Sequence, residues 1–262
     1  MGANGRLAIV VRNVGVQYDL RLSRKTTVKR TVSDLISRRL RRKRSVKFWA
    51  LKDVSFAVKT GEIFGVIGAN GAGKTTLMMT IAGVLPPDRG TVLAYGKTSA
   101  LFGLGTGFDM DVTGRENIFT NAAFLGISRK KMAEKVDEII DFSELGSFID
   151  APLRVYSTGM RVRLAFSIAV NIEPEILLLD EVMGGGVGDA AFRPKSEAKV
   201  HELMGRAKAM VVVTHSTGYV TQNCSRALWL DQGSVAAAGD PHEVVEAYLD
   251  HTSRRQGAVR QV

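Results

Sequence analysis

The chain has 262 residues, 45% hydrophobic and 24% charged, which suits one large α/β domain or one domain with a small subdomain. No apolar run reaches the roughly 20 residues of a membrane-spanning helix, and the opening MGANGRLAIVV lacks the apolar core and cleavage site of a secretory signal. The net charge of +10 is localised: Arg21 to Lys47 carries twelve basic residues and one acidic residue, Asp34, leaving −1 for the rest and arguing against a general nucleic-acid coat. Arg6 stands where a myristoylation pattern wants Ser or Thr. Cys224 is the sole cysteine, so no internal disulfide can form, and a reducing cytoplasm fits.

In chain order, LAIVVRNVGVQY alternates loosely and predicts a strand. The basic segment follows; six of the seven residues from Arg38 to Arg44 are Arg or Lys, while Val28, Val32, Leu35, Ile36 and Leu40 recur at helical spacing. ALKDVSFAV alternates as a second strand, and GEIFGVIG is a short apolar strand running into a glycine loop. GKTTLMMTIAGVL predicts a helix that stops at PPDRG, and GTVLAYGKTSALFG reads as a hairpin. Thr113 to Phe142 reads as helical. GMRVRLAFSIAV is a further helix leading to the strand EILLLDE, and helix AKVHELMGRA leads to strand AMVVVTH. RALWLDQGSV predicts a hairpin. DPHEVVEAYLDH predicts a closing helix with Asp240 as N-cap and Pro241 at its first position, before a frayed tail.

Alternating strands and helices predict an α/β fold with a largely parallel sheet. The expected organisation is an α/β core over 1–103 and 161–250, a helical subdomain over 104–160, a basic amphipathic insert over 21–47 and a tail over 251–262. The glycines Gly103, Gly105 and Gly107 have the wrong spacing for a dinucleotide fingerprint and predict a flexible coupling loop.

GANGAGKTT, Gly68 to Thr76, matches G-x-x-x-x-G-K-[ST] between a predicted strand and helix. The expected nucleotide-binding stretch is Gly68, Ala69, Asn70, Gly71, Ala72, Gly73, Lys74, Thr75 and Thr76. Its glycines let backbone approach phosphate oxygens, and the N–H groups from Asn70 to Thr75 present positive partial charge. Lys74 is expected to reach the β- and γ-phosphates of ATP, and the Thr75 hydroxyl to ligate Mg²⁺. Asp180 and Glu181 end the apolar strand ILLLDE at the carboxyl edge of the sheet, where open α/β folds bind ligands. Asp180 is the expected Mg²⁺ holder and Glu181 the expected general base. His215 ends the strand VVVTH, where it is placed to hydrogen-bond the γ-phosphate and the attacking water.

These residues resemble the ATPase subunits of ABC transporters, over nearly the whole chain. YSTGMRVRLAFSIAV, Tyr156 to Val170, resembles the family's signature and its helix, with Tyr-Ser-Thr-Gly-Met in place of Leu-Ser-Gly-Gly-Gln. Read without the family, Ser157 is the N-cap of a helix, and the two readings agree because a capped helix start binds anions. The resemblance implies a P-loop NTPase (RecA-like) core with N-terminal antiparallel strands and an inserted helical subdomain. It implies that Ser157 and Gly159 touch the γ-phosphate bound to a second copy, so that two copies close head-to-tail around two MgATP. His215 matches the family's switch histidine, and Asp189 in GVGDAAF resembles the D-loop aspartate, although EVMGGGVGD is about two residues longer than the family pattern. An early aromatic is implied as the adenine platform; Tyr18, Phe48 and Trp49 are candidates, with Tyr18 preferred.

The family's usual glutamine is absent from ALFGLGTGFDMDVTGREN, where Leu104 lies nearest. That departure, the altered signature and the basic insert resemble the branch that exports polysaccharides: capsule, O-antigen, teichoic acid or galactan. This implies a homodimer of ATPase subunits working with an integral-membrane permease, two copies expected, on a lipid-linked polysaccharide at the cytoplasmic face of the membrane. The basic insert is then read as a helix lying at an anionic membrane surface or on the permease, with a solvated helix packed on the body as its plainer reading. No nucleic-acid partner is expected. Nor is a C-terminal glycan-binding domain, since the chain ends about a dozen residues after its last predicted helix. The rival readings are a soluble ABC-type ATPase acting on ribosomes or nucleic acid, and an importer ATPase.

Overall fold

A computed structural model describes residues 5–20, 46–102, 104–105, 107–124, 127–171, 174–180 and 187–259. Residues 21–45 of the basic insert, Glu181, Gly103 and the triplet Gly184 to Gly186 therefore lie outside the described residues, while Val46 and Lys47, expected in the insert, are strand.

Two sheets share one core. β1 (Leu7–Leu20), β2 (Val46–Lys59) and β4 (Arg89–Ala94) form an antiparallel sheet in the order β2-β1-β4. The second sheet runs β5-β6-β7-β3-β8-β9. Its members are β3 (Ile63–Ile67), β5 (Thr98–Ala100), β6 (Ile176–Asp180), β7 (Ala209–Val213), β8 (Arg226–Asp231) and β9 (Ser234–Gly239). All pairings in it are parallel except β8 with β9. The central strands IFGVI, ILLLD and AMVVV are apolar runs because both faces of the parallel sheet are covered, one by helices and the other by the helix Lys74–Ile81 and the antiparallel sheet.

α1 (Lys74–Ile81) packs Leu77 and Met78 into the space between the sheets, against Ile9, Leu51, Val54 and Phe64. Phe64 is fully buried and stacks on Phe56 of the antiparallel sheet, ring centroids 5.0 Å apart. On the other face of the parallel sheet lie α5 (Thr158–Val170) and α6 (Arg193–Arg206), which bury Phe166, Phe192 and Val200. α7 (Thr217–Asn223) and α8 (Pro241–Val259) cover β3 and β8 around Trp229. α2 (Gly114–Phe124), α3 (Arg129–Ala133) and α4 (Val136–Ser143) enclose a separate core of Ile118, Met132, Ile139 and Leu153 that the start of α5 completes with Leu164.

Three local expectations change. GTVLAYGKTSALFG is not a hairpin: β4 pairs with β1, and β5 pairs with β6 in the other sheet. Glu175 draws the chain across, accepting the Lys97 N–H at 3.2 Å, while the Lys97 carbonyl accepts from the N–H groups of Glu175 and Ile176. The helical stretch from Thr113 to Phe142 is three helices, because Ser128 caps a new start by accepting from the Lys131 N–H. The expected tail does not begin at His251, since α8 continues to Val259. Its start is as expected, with Asp240 Oδ1 accepting the N–H of His242 at 2.9 Å.

Phe64 with Phe56 makes the only stacked ring pair between the two sheets among the described residues. Phe64→Ala is expected to cost about 3–5 kcal/mol in urea unfolding, with loss of the folded state as the alternative extreme and an unchanged midpoint as the contrary result.

Candidate nucleotide site

The phosphate loop leaves β3 and enters α1. Gly68 has φ 152° and Gly73 φ 105°. Any side chain at Gly68 would collide with the Leu230 carbonyl, and a Cβ at Gly73 would lie 2.5 Å from the Ala50 carbonyl. The loop is thus wedged between β2 and β8 at a distance only glycine permits. Its far side is fastened by backbone: Gly233 N–H donates to the Ala72 carbonyl at 2.9 Å, and Lys52 N–H to the Gly233 carbonyl at 2.7 Å. Lys74 is buried, and its Nζ donates to the carbonyls of Gly68 at 2.6 Å and Ala69 at 3.0 Å. The loop's own carbonyls therefore hold the ammonium within its concavity.

Because β6, β7 and β3 are adjacent and parallel, their carboxyl ends meet at one edge. The edge opens into a cavity of about 580 Å³ lined by Asn70, Gly71, Gly73, Lys74, Thr75 and Thr76, by Asp180 at the end of β6, by His215 just beyond β7, and by Tyr18 and Phe48. Gly68, Ala69 and Ala72 shape the loop from behind without lining the cavity. The aromatic candidates separate cleanly. Tyr18 and Phe48 are directly opposed across the β1–β2 ladder, so their side chains share a face, and both are exposed towards the cavity. Trp49 is one residue on and therefore faces the other way, under the Arg89 guanidinium at 4.7 Å from its ring centre. Tyr18 and Phe48 thus both line the cavity, and Trp49 does not.

The donor set suits Mg²⁺. Thr75 offers a hydroxyl and Asp180 a carboxylate on the same cavity wall as the lysine, and Mg²⁺ is held by few protein oxygens plus substrate phosphates. Among the described residues no group of three His, Cys, Asp or Glu could form a full protein cage.

Ser157 and Gly159 are not part of this cavity. Ser157 is exposed at the start of α5, where its Oγ accepts the Met160 N–H at 3.1 Å. Tyr156, just before it, is buried; its hydroxyl donates to the Phe148 carbonyl and sits over Gly114, where any side chain would collide with the phenol oxygen. Burial, with Asp150 nearby, pushes its ionisation up to about 12. Asp189 is engaged locally: Oδ1 accepts the N–H groups of Ala191 and Phe192, and Oδ2 accepts from Arg163 at 3.3 Å. The Phe192 amide first, then Arg163, holds its carboxyl below the usual range.

Residue-by-residue reading missed two supports of the helical core. Thr113 and Glu116 form a reciprocal capping box at α2, with Thr113 N–H to Glu116 Oε2 at 2.9 Å and Glu116 N–H to Thr113 Oγ1 at 3.2 Å. The T-x-x-E spacing signals it in the sequence. Asn117 is fully buried and pins the preceding loop through Asp109, with no comparable pattern to betray it.

A glycine phosphate loop, a strand-end aspartate and histidine, and an aromatic face from an antiparallel sheet together define a nucleotide-binding cassette. Residues 51–184 match the ABC transporter family model, and the chain belongs to that family. It is 43% identical over 201 residues to the ABC transporter protein AbcA of Aeromonas salmonicida, covering 77% of this chain and 65% of that one, so the chain spans under two thirds of that relative. It is 42% identical over 202 residues to the O-antigen export system ATP-binding protein RfbB of Klebsiella pneumoniae, covering 77% of this chain and 81% of that one. Its fold resembles a dimeric ATP-binding cassette solved in a post-hydrolysis state with ADP and Pi, at TM-score 0.59 and 20% identity, over 89% of this chain and 98% of that one.

The Tyr156 contact makes a stability test. Its phenol ionises less readily folded than unfolded, so its contribution is whole below pH 10 and is lost as pH rises towards about 12. Tyr156→Phe is expected to cost about 1 kcal/mol at neutral pH and to flatten the decline in Tm between pH 10 and 12 relative to the parent.

Proposed function

We propose that this chain is the ATP-binding and hydrolysing subunit of an exporter that moves a lipid-linked polysaccharide across the cytoplasmic membrane, working with a membrane permease. The observation that carries the reading is the gathering of Lys74, Thr75, Asp180, His215, Tyr18 and Phe48, from five separate stretches of chain, around one cavity. The O-antigen export relative supports the cargo class. It favours transport over the ribosome or nucleic-acid alternative.

In this reading the nucleotide's adenine packs on the Tyr18–Phe48 face, while loop N–H groups and Lys74 hold its phosphates. Lys74 exchanges its two carbonyl partners for phosphate oxygens, keeping a buried cation paired throughout. Thr75 and Asp180 would hold Mg²⁺, which when bound would neutralise phosphate charge. Glu181 serves as base towards water, and His215 orients the water and the γ-phosphate. Ser157 and Gly159 act across a dimer interface: Ser157 is exposed on its own chain, and the N-terminus of α5 offers N–H groups to an anion brought by a second copy. Loss of the γ-phosphate removes the anion bridging the two halves, so they part, and that motion works on the permease. No described helix is long and apolar enough to cross a membrane. The basic segment Arg38 to Arg44 serves attachment to that subunit or to anionic lipid.

Lys74→Ala and Ser157→Ala are each expected to lower ATP turnover of the subunit with its permease by at least about tenfold, as loss of a charge-stabilising donor does elsewhere. Turnover at the parent rate in both would remove the site assignment. Tyr18→Ala and Phe48→Ala should weaken ATP binding in calorimetry by about 1 kcal/mol each, while Trp49→Ala leaves it unchanged. For the cargo, co-purification with a membrane subunit carrying lipid-linked glycan supports export; recovery with RNA instead counts for the rival.

A further inference from the structure

Trp49 turns away from the nucleotide cavity and lines a second one, with Asn13, Lys52, Asp53 and Arg89 around it. This cavity has a volume of about 580 Å³, the same as the first, and shares no lining residue with it. It lies where β1 departs from regular pairing. The β1–β2 register shifts between Val11 and Val14, and the β1–β4 register between Arg12 and Gly15. Such bulges re-aim side chains that a regular ladder would point elsewhere. Asn13 and Asp53 hold left-handed backbone, φ 49° and 55°, and Gly90 has φ 76°. Any side chain at Gly90 would collide with the Arg12 and Asn13 carbonyls, so the start of β4 is pressed against the β1 bulge. At Gly15 a Cβ would lie 2.9 Å from the Trp49 ring, so the indole rests on bare backbone.

The walls are held in place by the protein itself. Asn13 N–H donates to Ser55 Oγ at 2.8 Å, and the Ser55 hydroxyl donates to Asn13 Oδ1 at 2.9 Å, which leaves Asn13 its Nδ2 donors. Asp88 fixes the chain just before Arg89: its N–H donates to the Gly15 carbonyl at 2.9 Å, and its Oδ2 accepts the Gln17 N–H at 2.7 Å. The Arg89 guanidinium lies over the Trp49 ring, 4.7 Å from its centre. A guanidinium held on a ring keeps its N–H donors for an oxyanion, in a fork that matches two phosphate oxygens. Among the described residues, no ion pair joins Lys52, Asp53 or Arg89 to an opposite charge. Two cations, one carboxylate, one carboxamide and one indole therefore meet at a single cavity. Left-handed non-glycine backbone costs free energy, and its concentration at this spot points to a use other than packing.

We propose that this second cavity binds a phosphate ester of a sugar. Arg89 and Lys52 hold the phosphate oxygens, and Trp49 packs against the apolar C–H face of the sugar ring. Asp53 accepts from sugar hydroxyls, and Asn13 Nδ2 donates to them. A bare anion would be drawn by the two cations but repelled by Asp53, and a neutral sugar would leave both cations unused. Only a ligand that carries a phosphate and hydroxyls together engages the whole set. Such a group has two sources, a free sugar phosphate or the phosphate end of a lipid-linked glycan. The second source rests on the export reading above; the site itself does not.

The test follows Trp49 emission in the full chain carrying Trp229→Phe, which leaves Trp49 the sole indole; calorimetry on the parent chain reads the same binding without that substitution. The probes are N-acetylglucosamine 1-phosphate, its parts N-acetylglucosamine and inorganic phosphate, and N-acetylglucosamine joined through diphosphate to farnesol. The 1-phosphate should give a saturable change, with affinity at least about tenfold above either part. Arg89→Met and Arg89→Lys should each weaken it by about tenfold, the second because a point charge replaces the fork. Asp53→Asn should remove the preference over inorganic phosphate. ATP affinity should stay at the parent value in all three variants, and saturating MgATP should not displace the sugar phosphate. Inorganic phosphate binding as tightly as the sugar phosphate, no saturation below about 10 mM, or displacement by MgATP would each overturn the proposal. Tighter binding of the farnesyl conjugate assigns the site to the lipid-linked glycan, and tighter binding of the 1-phosphate assigns it to a free metabolite. Sugar phosphate binding without any lipid-linked glycan on the co-purified membrane subunit would count against export and leave the site standing, so the two failures read differently.

Discussion

The structure turns on how closely the phosphate loop is clamped by neighbouring backbone. Gly68 and Gly73 press against the carbonyls of Leu230 and Ala50, which belong to different sheets. Hydrogen bonds from Gly233 to Ala72 and from Lys52 to Gly233 close the clamp on the opposite side. The loop cannot shift without disturbing both sheets, so the start of α1 keeps a fixed aim. A fixed set of N–H donors needs little reorganisation when an anion arrives, and that is what makes such a site effective. The same clamp explains why Lys74 can be buried at all: its ammonium has loop carbonyls within reach before phosphate is considered.

The rest of the site follows from sheet geometry. Parallel neighbours deliver their carboxyl ends to one edge, so Asp180, the phosphate loop and His215 arrive together although they are far apart in the chain. The antiparallel sheet adds what the parallel one cannot, a two-strand ribbon whose exposed face carries Tyr18 and Phe48 side by side. The shared core of Leu51, Phe64 and Leu77 locks the ribbon to the loop. Polar chemistry and apolar platform are thus held at one separation by packing.

The helical subdomain is attached differently. Its own core is separate, and α5 is common to it and to the α/β body. Tyr156 and Arg163, which bonds Glu144 and Asp189, are the polar fastenings at that seam, one beside the exposed signature serine and one further down the helix. The departure of Tyr-Ser-Thr-Gly-Met from the family's usual signature has a physical counterpart here: a phenol in place of a leucine needs room, which Gly114 provides, and an acceptor, which the Phe148 carbonyl provides.

Much of this was legible in the sequence because it is local. A glycine loop between an apolar strand and a helix, a carboxylate closing an apolar run, a serine one residue before a helix and an Asp-Pro helix start are each set by backbone sterics and short-range hydrogen bonds. The errors were also local in kind: the segment from Gly90 to Gly103 looked like a hairpin because two short apolar runs flank Gly-Lys, yet Glu175, more than seventy residues on, carries the second run to another sheet. What pairs with what across distance had no sequence signal. That Phe48 joins Tyr18 while Trp49 turns away depends on the β1–β2 register, and that Arg163 finds Glu144 and Asp189 depends on how α5 packs. The sequence alone determined which chemistry the chain carries, because phosphate binding is written in contiguous residues. Only the tertiary structure decided which aromatics face the cavity and which charges meet, because one residue of register reverses a side chain's direction and no contiguous stretch encodes it.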